Sequence, residues 1–196
     1  MGMRRWVVVE IATTHFTGRT LGGCCGYARL VGDRSRSHRG HALSVPPSDL
    51  TLHMKRVLRA PRSLVFRALT EPDKLAKWWG PRGFTAPSVE VDLRVGGSYR
   101  IAMQPPEGDV FYLEGEFREV DPPTRLAYTF RWEDPDPDDR ETVVTLSLRD
   151  LGDSTELVFA QSTFAVEGRR ALHEEGWTDT LDRLQELMSS GASVEG

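Results

Sequence analysis

The sequence predicts an α+β fold in which a seven-stranded antiparallel sheet curls around one long C-terminal helix, with two short helices after the first strand. Residues 85–161 are dominated by an alternation of apolar and polar residues with a period of two, interrupted by short turn signals. Residues 167–188 instead show the spacing of an amphipathic helix. A sheet with one apolar face needs a cover, and only this helix is long enough to provide it.

The first elements are a strand and a helix. Leu50, Leu52 and Met54 alternate with polar residues, which predicts a strand with one buried face. Pro61 suits the first turn of a helix, and a helical stripe of apolar residues follows it.

A second short helix is predicted to end in a pair of tryptophans. Thr70 and Asp73 are a plausible capping pair at its start, and the Gly-Pro after the tryptophans ends it. Adjacent helical residues point about 100° apart. We therefore expect one of Trp78 and Trp79 to pack into the domain and the other to line or cover the entrance of a cavity.

The remaining strands are predicted at 85–92, 97–103, 110–120, 124–132, 141–149 and 154–161. Their inward-facing positions are rich in large side chains: Tyr99, Met103, Phe111, Tyr128, Phe130, Trp132 and Phe159. A tightly filled core more often uses Leu, Ile and Val, although single aromatic residues are common in cores. An aromatic wall beneath one helix favours a ligand cavity, because such cavities are lined mostly by apolar and aromatic groups.

The last helix completes this predicted cavity. Trp177, Leu181, Leu184 and Met188 fall on one face, and Trp177 and Leu181 are expected to contact a ligand. Gly176 costs up to about 1 kcal/mol in the middle of a helix. A close approach to the sheet, or room for a ligand, would explain its presence.

Three segments resemble one known family: APRSLVFRALTEPDKLAKWWGPRGFT, GGSYRIAM and HEEGWTDTLDRLQEL. They are similar to the homologues of the activator of the heat-shock-protein-90 ATPase, which belong to the START-like superfamily. The resemblance covers roughly residues 50–189 and implies a helix-grip domain, placed here at 49–190. Relatives in the superfamily bind lipids, sterols, polyketides or reactive natural products.

Three functions follow as hypotheses. The preferred one is binding of a hydrophobic or aromatic small molecule in a cavity between the last helix and the sheet. The first alternative is a cyclase or hydrolase that uses His173, four residues before Trp177, together with Tyr99 or Tyr128. The second is a co-chaperone-like interaction domain, which the family name alone suggests. No catalytic residue beyond the candidate His173 is predicted.

Composition and charge indicate the character of the two terminal segments and restrict the possible partners, location and cofactors of the protein. Residues 1–48 are rich in Arg, Gly and Ser without a regular period, which predicts a disordered extension or a misplaced start of translation, and residues 191–196 are expected to be flexible. Residues 49–196 have a net charge of −9, which disfavours nucleic acid as a partner. No apolar run is long enough for membrane insertion, so a cytoplasmic protein is expected. The sequence shows no metal-spaced cluster and predicts no cofactor.

Overall fold

A computed structural model describes residues 50–190 of the 196-residue chain. The predictions made for residues 1–48 and 191–196 lie outside the described residues. The elements are β1 (Leu52–Leu58), α1 (Arg62–Thr70), α2 (Pro72–Trp78), β2 (Val89–Val91), β3 (Ser98–Met103), β4 (Phe111–Asp121), β5 (Arg125–Trp132), β6 (Thr142–Asp150), β7 (Thr155–Ser162) and α3 (Glu167–Ser189).

The seven strands form one antiparallel sheet in the order β1-β7-β6-β5-β4-β3-β2. The strands from β2 to β7 are neighbours in sequence order, and β1 closes the series by pairing with β7. This arrangement, with α3 as the long C-terminal helix, confirms the predicted α+β helix-grip architecture.

The alternation along the strands correctly predicts which side chains enter the core. On β7, Leu157, Phe159 and Gln161 are buried and alternate with partly exposed residues. On β5, Leu126, Tyr128 and Phe130 are buried on the predicted face, but Ala127 and Thr129 of the opposite face are buried as well. The predicted face of α3 is buried as well, through Trp177, Leu181, Leu184 and Met188. The core therefore lies between α3 and the concave face of the sheet.

The strand predicted at 85–92 is shorter than expected. Only Val89–Val91 pairs with β3, and Thr85 makes a separate bridge to Gln104. Pro87 lies between these two pieces and has no N–H with which to continue the ladder. The single predicted strand is therefore divided in two.

The predicted capping pair of α2 is wrong. Thr70 is the last residue of α1, and its hydroxyl donates to the Phe66 carbonyl at 2.8 Å. The residue that caps α2 is Glu71, whose side chain makes no capping hydrogen bond and instead pairs with Lys74 at 2.8 Å. The hydroxyl of Thr70 is already engaged by its own helix, so it does not cap the next one.

The tryptophan pair also departs from expectation, because both side chains are buried. Trp78 is 1% exposed, and its indole N–H donates to the Ala68 carbonyl at 2.9 Å. Trp79 is 5% exposed and packs against both Trp78 and Trp177. The helix ends at Trp78, and Trp79 has extended backbone angles of φ −63° and ψ 136°. The helical separation of 100° therefore does not apply to Trp79, which turns inward beside its neighbour.

Arg183 of α3 holds the segment that follows the tryptophans. Its Nη1 lies 3.2 Å from the carbonyl oxygen of Trp79, 2.8 Å from that of Gly80 and 3.1 Å from that of Pro81. The Phe84 carbonyl oxygen lies 3.1 Å from the same nitrogen. A single guanidinium thus provides donors to a turn whose carbonyls have left the helical pattern.

Candidate functional site

Most of the side chains predicted to line a ligand cavity are buried against one another: Trp78, Trp79, Tyr99, Met103, Tyr128, Phe130, Phe159, Trp177 and Leu181. The ring of Trp177 lies 4.5 Å from that of Phe159 and 5.4 Å from that of Trp79, measured between centroids. In this structure, the space between the middle of α3 and the sheet is therefore occupied by these rings.

Gly176 makes no close contact with the sheet. A Cβ added there would lie 3.9 Å from Cγ of Pro81, which is an ordinary van der Waals contact. Its carbonyl accepts a hydrogen bond from Thr180 at 2.7 Å. Nothing in the structure explains why glycine occupies this position.

A small cavity lies where α3 begins, beside the loop between β5 and β6. Its volume is about 10 Å³, close to the minimum that can hold one water molecule. We call it the His173 cavity, and it is lined by Phe130, Trp132, Asp138, Asp139, Arg140, Thr142, Phe164, Ala165, Arg169 and His173. Of the residues predicted from the sequence, it brings together Phe130, Trp132 and His173.

Three aromatic rings surround the imidazole of His173. Ring centroids lie 5.3 Å away at Phe130, 6.1 Å away at Trp132 and 5.0 Å away at Phe164. Trp132 also contacts Phe111, which is half-buried at the start of β4. The rings thus continue from the cavity along the end of the sheet.

A buried chain of hydrogen bonds reaches the cavity from the core. The indole N–H of Trp177 donates to Oε1 of Gln161 at 2.7 Å, and Nε2 of Gln161 donates to the Thr142 hydroxyl at 2.8 Å. The Thr142 hydroxyl in turn lies 3.3 Å from the Phe130 carbonyl oxygen. Nδ1 of His173 lies 3.2 Å from Oε1 of Gln161, so the imidazole is attached to this chain.

The environment keeps His173 neutral near pH 7. Burial lowers the pKa of its imidazole from 6.5 to about 4, and the nearby positive charge of Arg169 acts in the same direction. A neutral imidazole has one nitrogen that accepts hydrogen bonds. The residue is therefore suited to hydrogen bonding in the cavity at physiological pH.

Charged side chains close the side of the cavity that faces the 133–141 loop. Arg169 of α3 forms ion pairs with Asp136 and Asp139 of this loop. Arg140 donates to the backbone carbonyls of Thr163 and Phe164, just before α3. Burial raises the pKa of the Asp139 carboxyl. These contacts join the loop to the start of the helix.

The polar members of this site were not identified from the sequence. Gln161 shares the inward face of β7 with Leu157 and Phe159, and Thr142 shares that of β6 with Val144. A polar residue at an inward-facing strand position indicates a buried hydrogen-bond network. The polar residues at these two inward-facing positions could therefore have indicated the hydrogen-bond network. The place of Arg169 and the 133–141 loop beside the cavity could not be predicted, because it depends on contacts between segments that are distant in sequence.

The two tyrosines considered as partners of His173 belong to the core. The Tyr99 hydroxyl donates to the Thr129 carbonyl at 2.8 Å, and the Tyr99 ring lies 5.2 Å from that of Tyr128. Burial raises the pKa of both phenols. Gly115 gives the Tyr99 ring its position, since a Cβ at residue 115 would lie 2.7 Å from the ring and 1.9 Å from the Thr129 oxygen.

The outer face of the sheet carries charges of both signs in pairs. The pairs that cross or flank the strands are Arg100–Glu133, Arg131–Glu114, Arg118–Glu116, Arg125–Glu119 and Arg149–Glu156. Charge of one sign would be expected on a surface that docks a highly charged partner. The paired charges of both signs on this face therefore do not favour a co-chaperone-like interaction domain.

Two further findings concern residues 50–190. No helix in this part of the chain is long and apolar enough to cross a membrane. Over the same residues, no group of three or more His, Cys, Asp or Glu side chains is arranged to hold a metal ion.

Several solved structures share this fold. A protein from Nitrosomonas europaea is 34% identical, with a TM-score of 0.61 over 71% of this chain and 94% of its own. A protein from Chromobacterium violaceum is 31% identical, with a TM-score of 0.60 over 70% of this chain and 96% of its own. The AHSA1 protein from Silicibacter pomeroyi is 27% identical, with a TM-score of 0.62 over 71% of this chain and 98% of its own.

No curated protein matches the chain significantly. Residues 59–189, most of the described domain, match the family described as Activator of Hsp90 ATPase homolog 1-like protein. This match agrees with the seven-stranded sheet, the long C-terminal helix and the likeness to the solved structures. The chain belongs to the AHSA1 family, within the START-like fold.

Proposed function

We propose that this protein binds a small aromatic or hydrophobic molecule at the His173 cavity. The observation that carries the proposal is the meeting of Phe130, Trp132 and Phe164 around one imidazole, at the end of the sheet where α3 begins. Aromatic side chains with a few convergent polar groups are typical of small-molecule sites. The START-like fold is also known for ligand-binding cavities.

Binding requires this cavity to expand. A benzene-sized ligand needs a cavity on the order of 150 Å³, whereas the His173 cavity has about 10 Å³. The 133–141 loop is the segment whose movement would provide the room, since it contributes Asp138, Asp139 and Arg140 to the lining.

One of the contacts that hold this loop, the ion pair of Arg169 with Asp136, is of the kind that costs little to break. The ion pair of Arg169 with Asp136 is partly exposed, with Asp136 at 45% side-chain exposure. Partly exposed pairs contribute up to about 1 kcal/mol each. The pair of Arg169 with the more buried Asp139 is longer, at 3.4 Å. Opening would also break the contacts of Arg140 with the carbonyls of Thr163 and Phe164, so the ligand must supply that free energy as well.

The hydrogen bonds of His173 and Tyr99 favour ligand binding over the cyclase or hydrolase alternative. The partner of His173 is the neutral amide of Gln161 rather than a carboxylate that would stabilise an imidazolium. Tyr99 donates to a backbone carbonyl, and its raised pKa keeps the phenol protonated. These groups are better placed to give the cavity its shape and polarity than to transfer protons.

Indole is a suitable probe, because it is small and aromatic. Titration into ¹⁵N-labelled protein should shift the side-chain indole signal of Trp132 and the backbone amides of the 133–141 loop. Ala165→Leu places a larger side chain in the cavity lining, and we expect it to weaken indole binding by about tenfold or more.

Ala160→Leu is the matched control. Ala160 lies on β7 and alternates with the inward-facing Phe159 and Gln161, so the same change there falls on the outer face of the sheet. It should leave indole affinity unchanged. Equal indole affinity in both variants, or shifts confined to another part of the domain, would refute binding at the His173 cavity.

A further inference from the structure

The chain of hydrogen bonds behind His173 has a defined direction. An indole N–H can only donate, so Trp177 requires the atom of Gln161 that it contacts to be the amide oxygen. The amide nitrogen then faces Thr142, whose hydroxyl can accept from it and donate to the Phe130 carbonyl. Every group in the chain is satisfied in this orientation.

Burial protects that orientation. Gln161 is 0% exposed and Thr142 is 3% exposed, so water does not compete for the amide. Turning the amide over would place its NH₂ group against the indole N–H, leaving two donors facing each other without an acceptor. A buried unsatisfied donor is costly, which holds the oxygen towards Trp177 and His173.

The orientation of Gln161 in turn sets the protonation of His173. The amide oxygen cannot donate, so Nδ1 of the imidazole must carry the proton in the 3.2 Å contact between them. Because the ring is neutral, its other nitrogen, Nε2, keeps its lone pair. His173 lines the cavity, and Nε2 is the ring atom left to accept a hydrogen bond from a molecule bound there.

We infer that Gln161 is a positioning residue that fixes the Nδ1–H tautomer of His173, so that the cavity selects aromatic ligands with a hydrogen-bond donor, such as a phenol or an N–H heterocycle. This inference rests on the proposed function for the ligand itself, but its tautomer part stands on the described contacts alone. The other charged groups at the cavity are already engaged: Arg169 with Asp136 and Asp139, and Arg140 with two backbone carbonyls. Asp138 is the remaining charged member of the lining.

The first experiment reads the tautomer without any ligand. Long-range ¹H–¹⁵N correlation spectra of the imidazole distinguish Nδ1–H from Nε2–H, and the wild-type protein should show Nδ1–H for His173 at pH 7. An Nε2–H pattern in the folded wild-type protein overturns the inference, whatever the protein binds.

Two substitutions separate this role from a merely structural one. Gln161→Leu removes the acceptor, so we expect His173 to lose its preference for Nδ1–H. Gln161→Glu keeps an acceptor of the same shape, so it should restore Nδ1–H and, when ionised, raise the pKa of His173. If Gln161→Leu keeps the Nδ1–H form while folded, Gln161 does not fix the tautomer. The wild-type spectrum decides the question if that variant does not fold.

The second experiment compares indole with indene, which has nearly the same shape but a CH₂ group in place of the N–H. Wild-type protein should bind indole about tenfold more tightly than indene, the effect of roughly one hydrogen bond. In Gln161→Leu that preference should fall to about one. Equal affinities in the wild-type protein overturn the donor selection and leave the proposed function intact. If neither molecule binds, both the donor selection and the proposed function fail, while the tautomer result stands.

Discussion

Arg183 gives the most direct test of how the domain holds the turn after the tryptophan pair. Its guanidinium lies within 3.2 Å of four backbone carbonyl oxygens, which belong to Trp79, Gly80, Pro81 and Phe84. Arg183→Met keeps much of the apolar stem but removes every donor. The carbonyls then depend on water, which reaches this half-buried site only in part.

The expected cost follows from these contacts. Hydrogen bonds from a charged donor contribute about 1.5–3 kcal/mol. One nitrogen cannot satisfy four acceptors fully, and water replaces part of what is lost. We therefore expect Arg183→Met to lower the free energy of unfolding by about 2–4 kcal/mol. Arg183→Lys retains a charged donor without the planar fork and should cost less.

Urea unfolding followed by tryptophan fluorescence measures this change, since Trp78 and Trp79 lie next to the turn. Arg149→Met is the matched control, because Arg149 has 69% side-chain exposure and only a surface ion pair with Glu156. The control should change stability by less than about 0.5 kcal/mol. If Arg183→Met costs no more than the control, the guanidinium is not what holds the turn.

Three further changes test other parts of the argument. Gly176→Ala should stabilise the domain by about 0.5–1 kcal/mol in thermal or urea unfolding, because the added Cβ meets only Pro81 at 3.9 Å and helix propensity improves. Destabilisation by this substitution would contradict that reasoning. Gly115→Ala should destabilise it by more than about 3 kcal/mol, since a Cβ would lie 1.9 Å from the Thr129 oxygen; a variant of near wild-type stability would contradict that close approach. His173 has a lowered pKa, so its stabilising contribution is complete above about pH 6.5 and is lost as the pH falls towards 4. Over that interval the free energy of unfolding of the wild-type protein should fall by about 2–3 kcal/mol relative to that of His173→Asn. Parallel pH profiles of the two proteins would contradict the lowered pKa.

The sequence predicted strand and helix positions well where the periodicity is uninterrupted. β7 and α3 are examples, because alternate residues of β7 are buried and α3 buries one face. The prediction from sequence was wrong where a single residue changed the backbone geometry of a strand or helix. Pro87 divided a predicted strand, and the end of α2 at Trp78 removed the helical relation on which the orientation of Trp79 had been based.

The sequence alone determined the family, the order of the elements and the inward face of most strands, because alternation and helical spacing are local properties of the chain. Only the tertiary structure decided which inward-facing rings fill the core and which border a cavity. That division depends on where α3 begins relative to the end of β5, and on how β6, β7 and α3 bring Thr142, Gln161 and His173 together. The hydrogen bonds among these three join residues 12 and 19 positions apart. Such contacts form only when the sheet closes on the helix, so no local pattern in the sequence encodes them.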